Sequence, residues 1–265
     1  MNSEEDCTSR NIPLPIQRQV RQRCGFGCVI CGLPLYEYEH MEEWALVKRH
    51  VADEITLLCD QHHKEKTNGL LPKEVVRQAN ANPFNLQNGV SKPYNLHFFG
   101  DEMTVRLGTN VFSKKIMDDE SFTAMVPVMV DGVPILGFII QDNHILLNMN
   151  LFDRANDPLL KIVNNQLVYN VTTWDIQLIA RTLTIREKAR KILLELEFIP
   201  PNKIEIRKGS LFCNGVEFKI DGNVVKANDV GFFDGNTFQC DIGIGIGNRC
   251  RDRGSIGFAM SINRR

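Results

Sequence analysis

The chain has 265 residues, 43% hydrophobic and 24% charged, the mix of a soluble globular protein with room for one large or two ordinary domains. Its formal net charge of -1 excludes a protein that coats nucleic acid by charge alone, and residues 1–75 hold more acids than bases, so any nucleic-acid chemistry must gather its basic groups locally. An acidic start, Met1 to Asp6, is unlike a signal peptide, and no apolar run of about 18 residues suggests a membrane helix, so a cytoplasmic location is expected.

In that reducing setting the eight cysteines are expected to be metal ligands or free thiols. Residues 1–10 read as a polar tail. Pro15 and Gly25 then frame a short helix over 15–24, with Ile16, Val20 and Cys24 on one apolar stripe. Arg18 and Arg21 lie off that stripe, either as solvated charges or as phosphate contacts. Leu35 to His40 alternates polar and apolar residues around Tyr36 and Tyr38, which predicts a strand. A helix follows near 60–68, closed by Gly69, and Pro72 opens another that carries Val75 and Val76. The stretch from Asn80 to Pro93 is rich in Asn, Gly and Pro. It is expected to be a linker (80–93) between an N-terminal module (1–79) and a C-terminal domain (94–265).

Beyond the linker, β-branched and aromatic runs are punctuated by Asp131-Gly132, Asp142-Asn143, Asn214-Gly215, Asp221-Gly222 and Asp234-Gly235. Strands are expected at 124–130, 133–140, 144–151, 167–171 and 204–206, with one helical interruption around Trp174–Lys191. The fold class is therefore α+β, with a mostly β second domain built as a sandwich or a barrel-like sheet. A β-solenoid fits less well, because no fixed repeat period is present.

Cys28-x2-Cys31 and Cys59-x2-His62 are two ligand pairs of the spacing that structural zinc sites use. Cys24 is the rival for one place, and His63, through a Cys-x3-His spacing, is the rival for His62. Cys7, Cys213, Cys240 and Cys250 read as ordinary reduced residues. Between the pairs lies Glu39-His40, and directly after them comes His63 with Lys64 and Lys66.

Taken together, Cys28-x2-Cys31, Glu39-His40 and Ile55-Thr56-Leu57-Leu58-Cys59-x2-His62-His63-x2-Lys66-Thr67 resemble the signature of the HNH endonuclease family. The resemblance spans about 40 residues, or about 70 with flanking helices, and leaves the C-terminal half unmatched. It implies a zinc-stapled ββα-metal module, with zinc as a structural ion and Mg2+ or another divalent ion as the catalytic one. By position, Glu39 and His63 match the ligands of the catalytic ion and His40 matches the general base. One departure is that Glu54 stands where the family usually has Asn, whose task is to brace the loop between the strands. The reaction implied is hydrolysis of DNA phosphodiester bonds, in bacterial restriction, mobile-element or antiviral defence work.

The residue types fit that chemistry on their own terms. A water that attacks phosphorus needs a base with a pKa near neutrality, which histidine has, and a hard divalent ion takes carboxylate oxygen while keeping several waters. Lys64, Lys66, Arg18 and Arg21 are the candidate phosphate contacts, and double-stranded DNA is the expected partner. A homodimer would serve double-strand cutting, and the second domain would recognise a target or a protein or ligand trigger. His50, four residues before Glu54, reads as a loop anchor or as a group that supports the site residues from behind. The alternating glycines Gly243, Gly245 and Gly247 read as close strand packing, not as a phosphate loop. Arg249, Arg251, Arg253, Arg264 and Arg265 form a basic cluster that either grips DNA or is a solvated tail. The competing reading is a non-catalytic zinc module acting as a DNA- or protein-binding adaptor.

Overall fold

The computed structural model describes residues 10–117, 119–168, 173–228, 231–247 and 257–262. Two units meet in sequence at Tyr94 and Asn95.

In the first unit, α1 (Leu14–Arg23) begins at Pro13, where a missing N–H costs nothing, and carries Arg21 and Arg23 in its last turn, favourable to the helix dipole. Gly25, at φ +67°, turns the chain away. Strand β1 (Glu37–His40) pairs antiparallel with β2 (Ile55–Leu58), with Glu39 opposite Thr56 and His40 opposite Ile55. The loop between them holds one helical turn, α2 (Trp44–Val47). After β2 the chain enters α3 (Asp60–Thr67), then α4 (Lys73–Ala81) and α5 (Phe84–Asn88). All four residues of β2 are buried, and Ile55, Leu57 and Leu58 pack with Val20, Cys24, Val29 and Val76. Each such aliphatic side chain contributes about 1.5–3 kcal/mol on leaving water. The resulting strand–strand–helix core carries the site on its rim.

The stretch expected to be a linker is instead part of this unit. Its helix α5 buries Asn85 completely, Phe84 N–H donates to the Val29 carbonyl at 2.9 Å, and Lys92 N–H donates to the Gly32 carbonyl at 3.2 Å. Composition signalled a break, but the asparagine supplies a hydrogen bond that only tertiary packing reveals.

The second unit is mostly strand: β3 (Leu96–His97), β4 (Glu102–Leu107), β5 (Asn110–Lys115), β6 (Thr123–Val130), β7 (Val133–Gln141), β8 (His144–Phe152), β9 (Pro158–Val163), β10 (Gln166–Val168), β11 (Asp175–Ile179), β12 (Thr182–Lys188), β13 (Lys191–Ile199), β14 (Lys203–Cys213), β15 (Val216–Asp221), β16 (Val224–Ala227), β17 (Gly231–Phe233), β18 (Thr237–Gln239), β19 (Ile242–Ile246) and β20 (Phe258–Ile262). Two antiparallel meanders, β6 to β10 and β11 to β17, are joined through β14, which also pairs parallel with β4. Strand β19 lies between β6 and β20, parallel to both. Among the described residues these pairings branch without closing on themselves, so the α+β class holds with a large open sheet in place of a closed barrel.

Asp131-Gly132, Asp142-Asn143 and Asn214-Gly215 turn tight hairpins with positive φ at both central residues, as two-residue loops of this hand require. The helix expected around Trp174–Lys191 is not formed: β11, β12 and the start of β13 occupy it. Gly243 sits where an added Cβ would meet the Pro127 carbonyl oxygen at 2.7 Å, in keeping with packing as its role. Residues 1–9 of the tail expected at 1–10, the residues 169–171 of one strand, Cys7, Cys250 and the basic cluster at 249–253 and 264–265 lie outside the described residues.

Candidate metal centre and acid–histidine cluster

Cys28 and Cys31 sit on a turn held by Gly32 N–H donating to the Cys28 carbonyl (2.8 Å) and Cys28 N–H donating to the Leu33 carbonyl (2.9 Å). Cys59 caps the start of α3 and His62 lies in its first turn, so Cys-x2-His brings both ligand atoms to one side. Cys31 Sγ is 3.8 Å from Cys59 Sγ, and His62 Nδ1 is 3.4 Å from Cys28 Sγ and 3.1 Å from Cys59 Sγ. Tetrahedral zinc with its usual bond lengths needs edges of about 3.8 Å between sulfurs and about 3.5 Å between sulfur and nitrogen. The four atoms are thus spaced to hold a metal ion such as zinc.

The electrostatics agree. A hydrogen bond from the Cys31 thiol pushes Cys28 down to about 4, the same bond pushes Cys31 up, and burial pushes Cys59 up. The group alone tolerates one negative charge, and a divalent cation is what would let the other thiols ionise. Neither rival joins the cluster: Cys24 Sγ lies 4.0 Å from Thr56 Oγ1 in the core, and His63 faces the other way. Behind the turn, Asn85 Nδ2 donates to the Gly25 carbonyl at 2.8 Å, and a Cβ on Gly32 would meet Asn85 Oδ1 at 2.2 Å.

Alternation along β1 sets a second cluster beside the first. Glu37 and Glu39 face α3, where His63 lies between them: Nε2 is 2.9 Å from Glu39 Oε2 and Nδ1 is 3.4 Å from Glu37 Oε2. Lys66, its side chain 10% exposed, pairs with Glu39 Oε1 and donates to the His40 carbonyl at 3.2 Å. Sequence reasoning missed Glu37, although a Glu-x-Glu strand pattern puts two carboxylates on one face.

His40 belongs to the opposite face of β1. Its Nε2 is 3.3 Å from His50 Nδ1, and Trp44 stacks on the His50 ring at 4.6 Å. Burial, then the neighbouring His50, lower its pKa below the ordinary histidine value. Glu54 accepts from Arg49 Nε at 3.0 Å and from Arg49 Nη2, and its carbonyl accepts from Met41 N–H at 2.9 Å. The interstrand loop is braced by an ion pair instead of an amide.

Two of the basic residues expected to meet phosphate are committed elsewhere. Arg21 is 2% exposed and donates to the Tyr38 hydroxyl, and Lys66 is turned onto Glu39. Lys64 is exposed and Arg18 half-buried. Arg23, which sequence reasoning passed over, ties α1 to α4 and the loop through Asn80 Oδ1 (2.7 Å) and the Ala52 carbonyl (2.9 Å). Set against protein families, curated proteins and solved structures, the chain matches none.

Proposed function

We propose that the first unit is a zinc-stapled, metal-dependent DNA endonuclease of the HNH type, with a β-rich second unit that recognises a target or trigger. The observation that carries the reading is the Glu39–His63 pair, held at 2.9 Å beside the Cys3His cluster and one residue from His40. The strand–strand–helix order of β1, β2 and α3 is the arrangement the sequence resemblance implies.

In this reading Cys28, Cys31, Cys59 and His62 hold zinc as a staple, and Glu39 Oε2 with His63 Nε2 hold a divalent ion such as Mg2+. When bound, that ion supplies positive charge for the phosphoryl oxygens and the departing 3′ oxygen. His40 takes a proton from the attacking water. Its Nε2 is engaged by His50, which leaves Nδ1 for that proton. The water oxygen bonds to phosphorus, the bond to the 3′ oxygen breaks, and the 3′ oxygen is protonated from solvent, leaving 5′-phosphate and 3′-hydroxyl ends. Lys64 and Arg18 remain as candidate contacts to a DNA backbone.

A second reading, a non-catalytic zinc adaptor that binds DNA or protein, is favoured by two observations. Lys66 already neutralises Glu39, and His40 points away from it across β1. Cleavage of supercoiled plasmid with and without Mg2+ or Mn2+, by the wild type and by His40→Ala, separates the two. The nuclease reading expects ion-dependent nicking that the variant loses. DNA binding without cleavage under every ion supports the adaptor.

A further inference from the structure

We infer that Glu37 is a positioning residue, which fixes the His63 ring through Nδ1 so that Nε2 is presented, with Glu39 Oε2, to a divalent ion. The inference deepens the proposed nuclease reading and rests on it.

The argument begins with β1. Glu37 and Glu39 are two residues apart in an extended strand, so both project to the side on which α3 packs, and the His63 ring lies between their carboxylates. The imidazole thus has a carboxylate oxygen within ion-pair distance of each ring nitrogen. The two contacts are not equivalent. Glu39 is also paired with Lys66 through Oε1, which leaves Oε2 facing the ring, and its carboxylate is only 17% exposed. Glu37 is 58% exposed and meets the ring at 3.4 Å from the solvent side.

An imidazole binds a metal through the lone pair of one nitrogen, and the N–H of the other must then find an acceptor. With Nε2 beside Glu39, that N–H is at Nδ1, and Glu37 Oε2 is the acceptor placed to receive it. Glu37 is not a further ligand of the same ion, because an ion on Nε2 lies across the ring from it. Its role is to select the tautomer and hold the ring plane.

The test uses the full chain loaded with zinc, with Mn2+ as the probe and free Mn2+ read by electron paramagnetic resonance. Glu37→Ala should weaken Mn2+ binding about 10- to 100-fold with zinc content unchanged, the range seen when a partner of a metal-bound histidine is removed. Glu37→Gln should restore most of the affinity, since its amide oxygen still accepts from Nδ1–H. Mn2+ affinity unchanged in Glu37→Ala but lost in His63→Ala would overturn the positioning role and leave the ion site standing. Glu37→Gln as weak as Glu37→Ala would also overturn it, by showing that charge and not the hydrogen bond matters. Equal Mn2+ binding by the wild type and His63→Ala would remove the ion site itself, and the nuclease reading with it.

Discussion

Glu39 Oε2 and His63 Nε2 stand 2.9 Å apart, one delivered by strand β1 and the other by the first turns of helix α3. Two neighbouring ligands of an octahedral ion with bonds of about 2.1 Å are separated by about 3.0 Å, and that spacing is what supports the proposed ion site. The same helix supplies His62 to the Cys3His cluster, so the geometry of the proposed ion site would depend on a metal held there.

Zinc binding should therefore release protons in a defined number. Cys28, held down to about 4, is already a thiolate at neutral pH, whereas Cys31 and Cys59 are pushed up and are thiols. About two protons should leave per zinc bound near pH 7, and affinity should rise as pH rises. Calorimetry in buffers of different ionisation enthalpy counts them. Cys59→Ser should drop bound zinc from about one ion to near none by elemental analysis and unfold the first unit.

Lys66 and Lys64 should behave differently towards DNA, although sequence reasoning grouped them. Lys66→Met removes a largely buried partner of Glu39 and should cost about 2 kcal/mol of stability by denaturant melting, with the salt dependence of DNA affinity unchanged. Lys64→Ala should leave stability alone and reduce the slope of log affinity against log salt by about 1. A fall in that slope for Lys66→Met would show that the Glu39 pair opens on DNA.

The acid limb of the cleavage rate should fall below the value of free histidine, about 6.5. Burial disfavours the charged ring of His40, so the neutral base persists to lower pH; His50 and Lys66 act the same way, while Glu39 and Glu54 oppose them. His50→Gln removes the second-largest cause and should shift the limb upward. A limb that stays in place would show that His40 is not the titrating base.

Asn85 should set the resistance of the zinc turn to chelators. Asn85→Ala loses the hydrogen bond to the Gly25 carbonyl and should cost about 1–3 kcal/mol. Gly32→Ala, at φ +77° and with Asn85 Oδ1 2.2 Å from the new Cβ, should be worse. Faster zinc loss to a chelator in both variants is the expected reading.

The Cys3His cluster was legible because Cys-x2-Cys and Cys-x2-His are short-range spacings, while the rivals Cys24 and His63 were set aside only by the fold. Helix and hairpin boundaries followed, to within a residue or two, from Pro15, Gly25, Pro72 and the Asp-Gly and Asn-Gly pairs, whose backbone preferences are local. The region from Trp174 to Lys191 was misread because its hairpins turn at Ala180-Arg181 and Ala189-Arg190. Ala180 and Arg190 take positive φ there without the glycine or asparagine that marks such turns. The bulges between Ile185 and Lys188 also break the two-residue alternation. Helix phase put Arg21 off the apolar stripe, as a solvated charge or a phosphate contact, but the Tyr38 hydroxyl gives it a partner inside. Asn85 was hidden in a linker-like composition, since the space it fills exists only once Gly27 and Gly32 come together.

The most direct test is cleavage of supercoiled plasmid by the zinc-loaded chain, with Mg2+ or Mn2+ added or withheld, for the wild type, His40→Ala and the double variant Glu39→Gln/His63→Ala. The account predicts nicking or linearisation only with added ion, lost in both variants while zinc content and fold are retained. Cleavage that persists in either variant, or a wild type that binds DNA and leaves it intact under every ion, would contradict it.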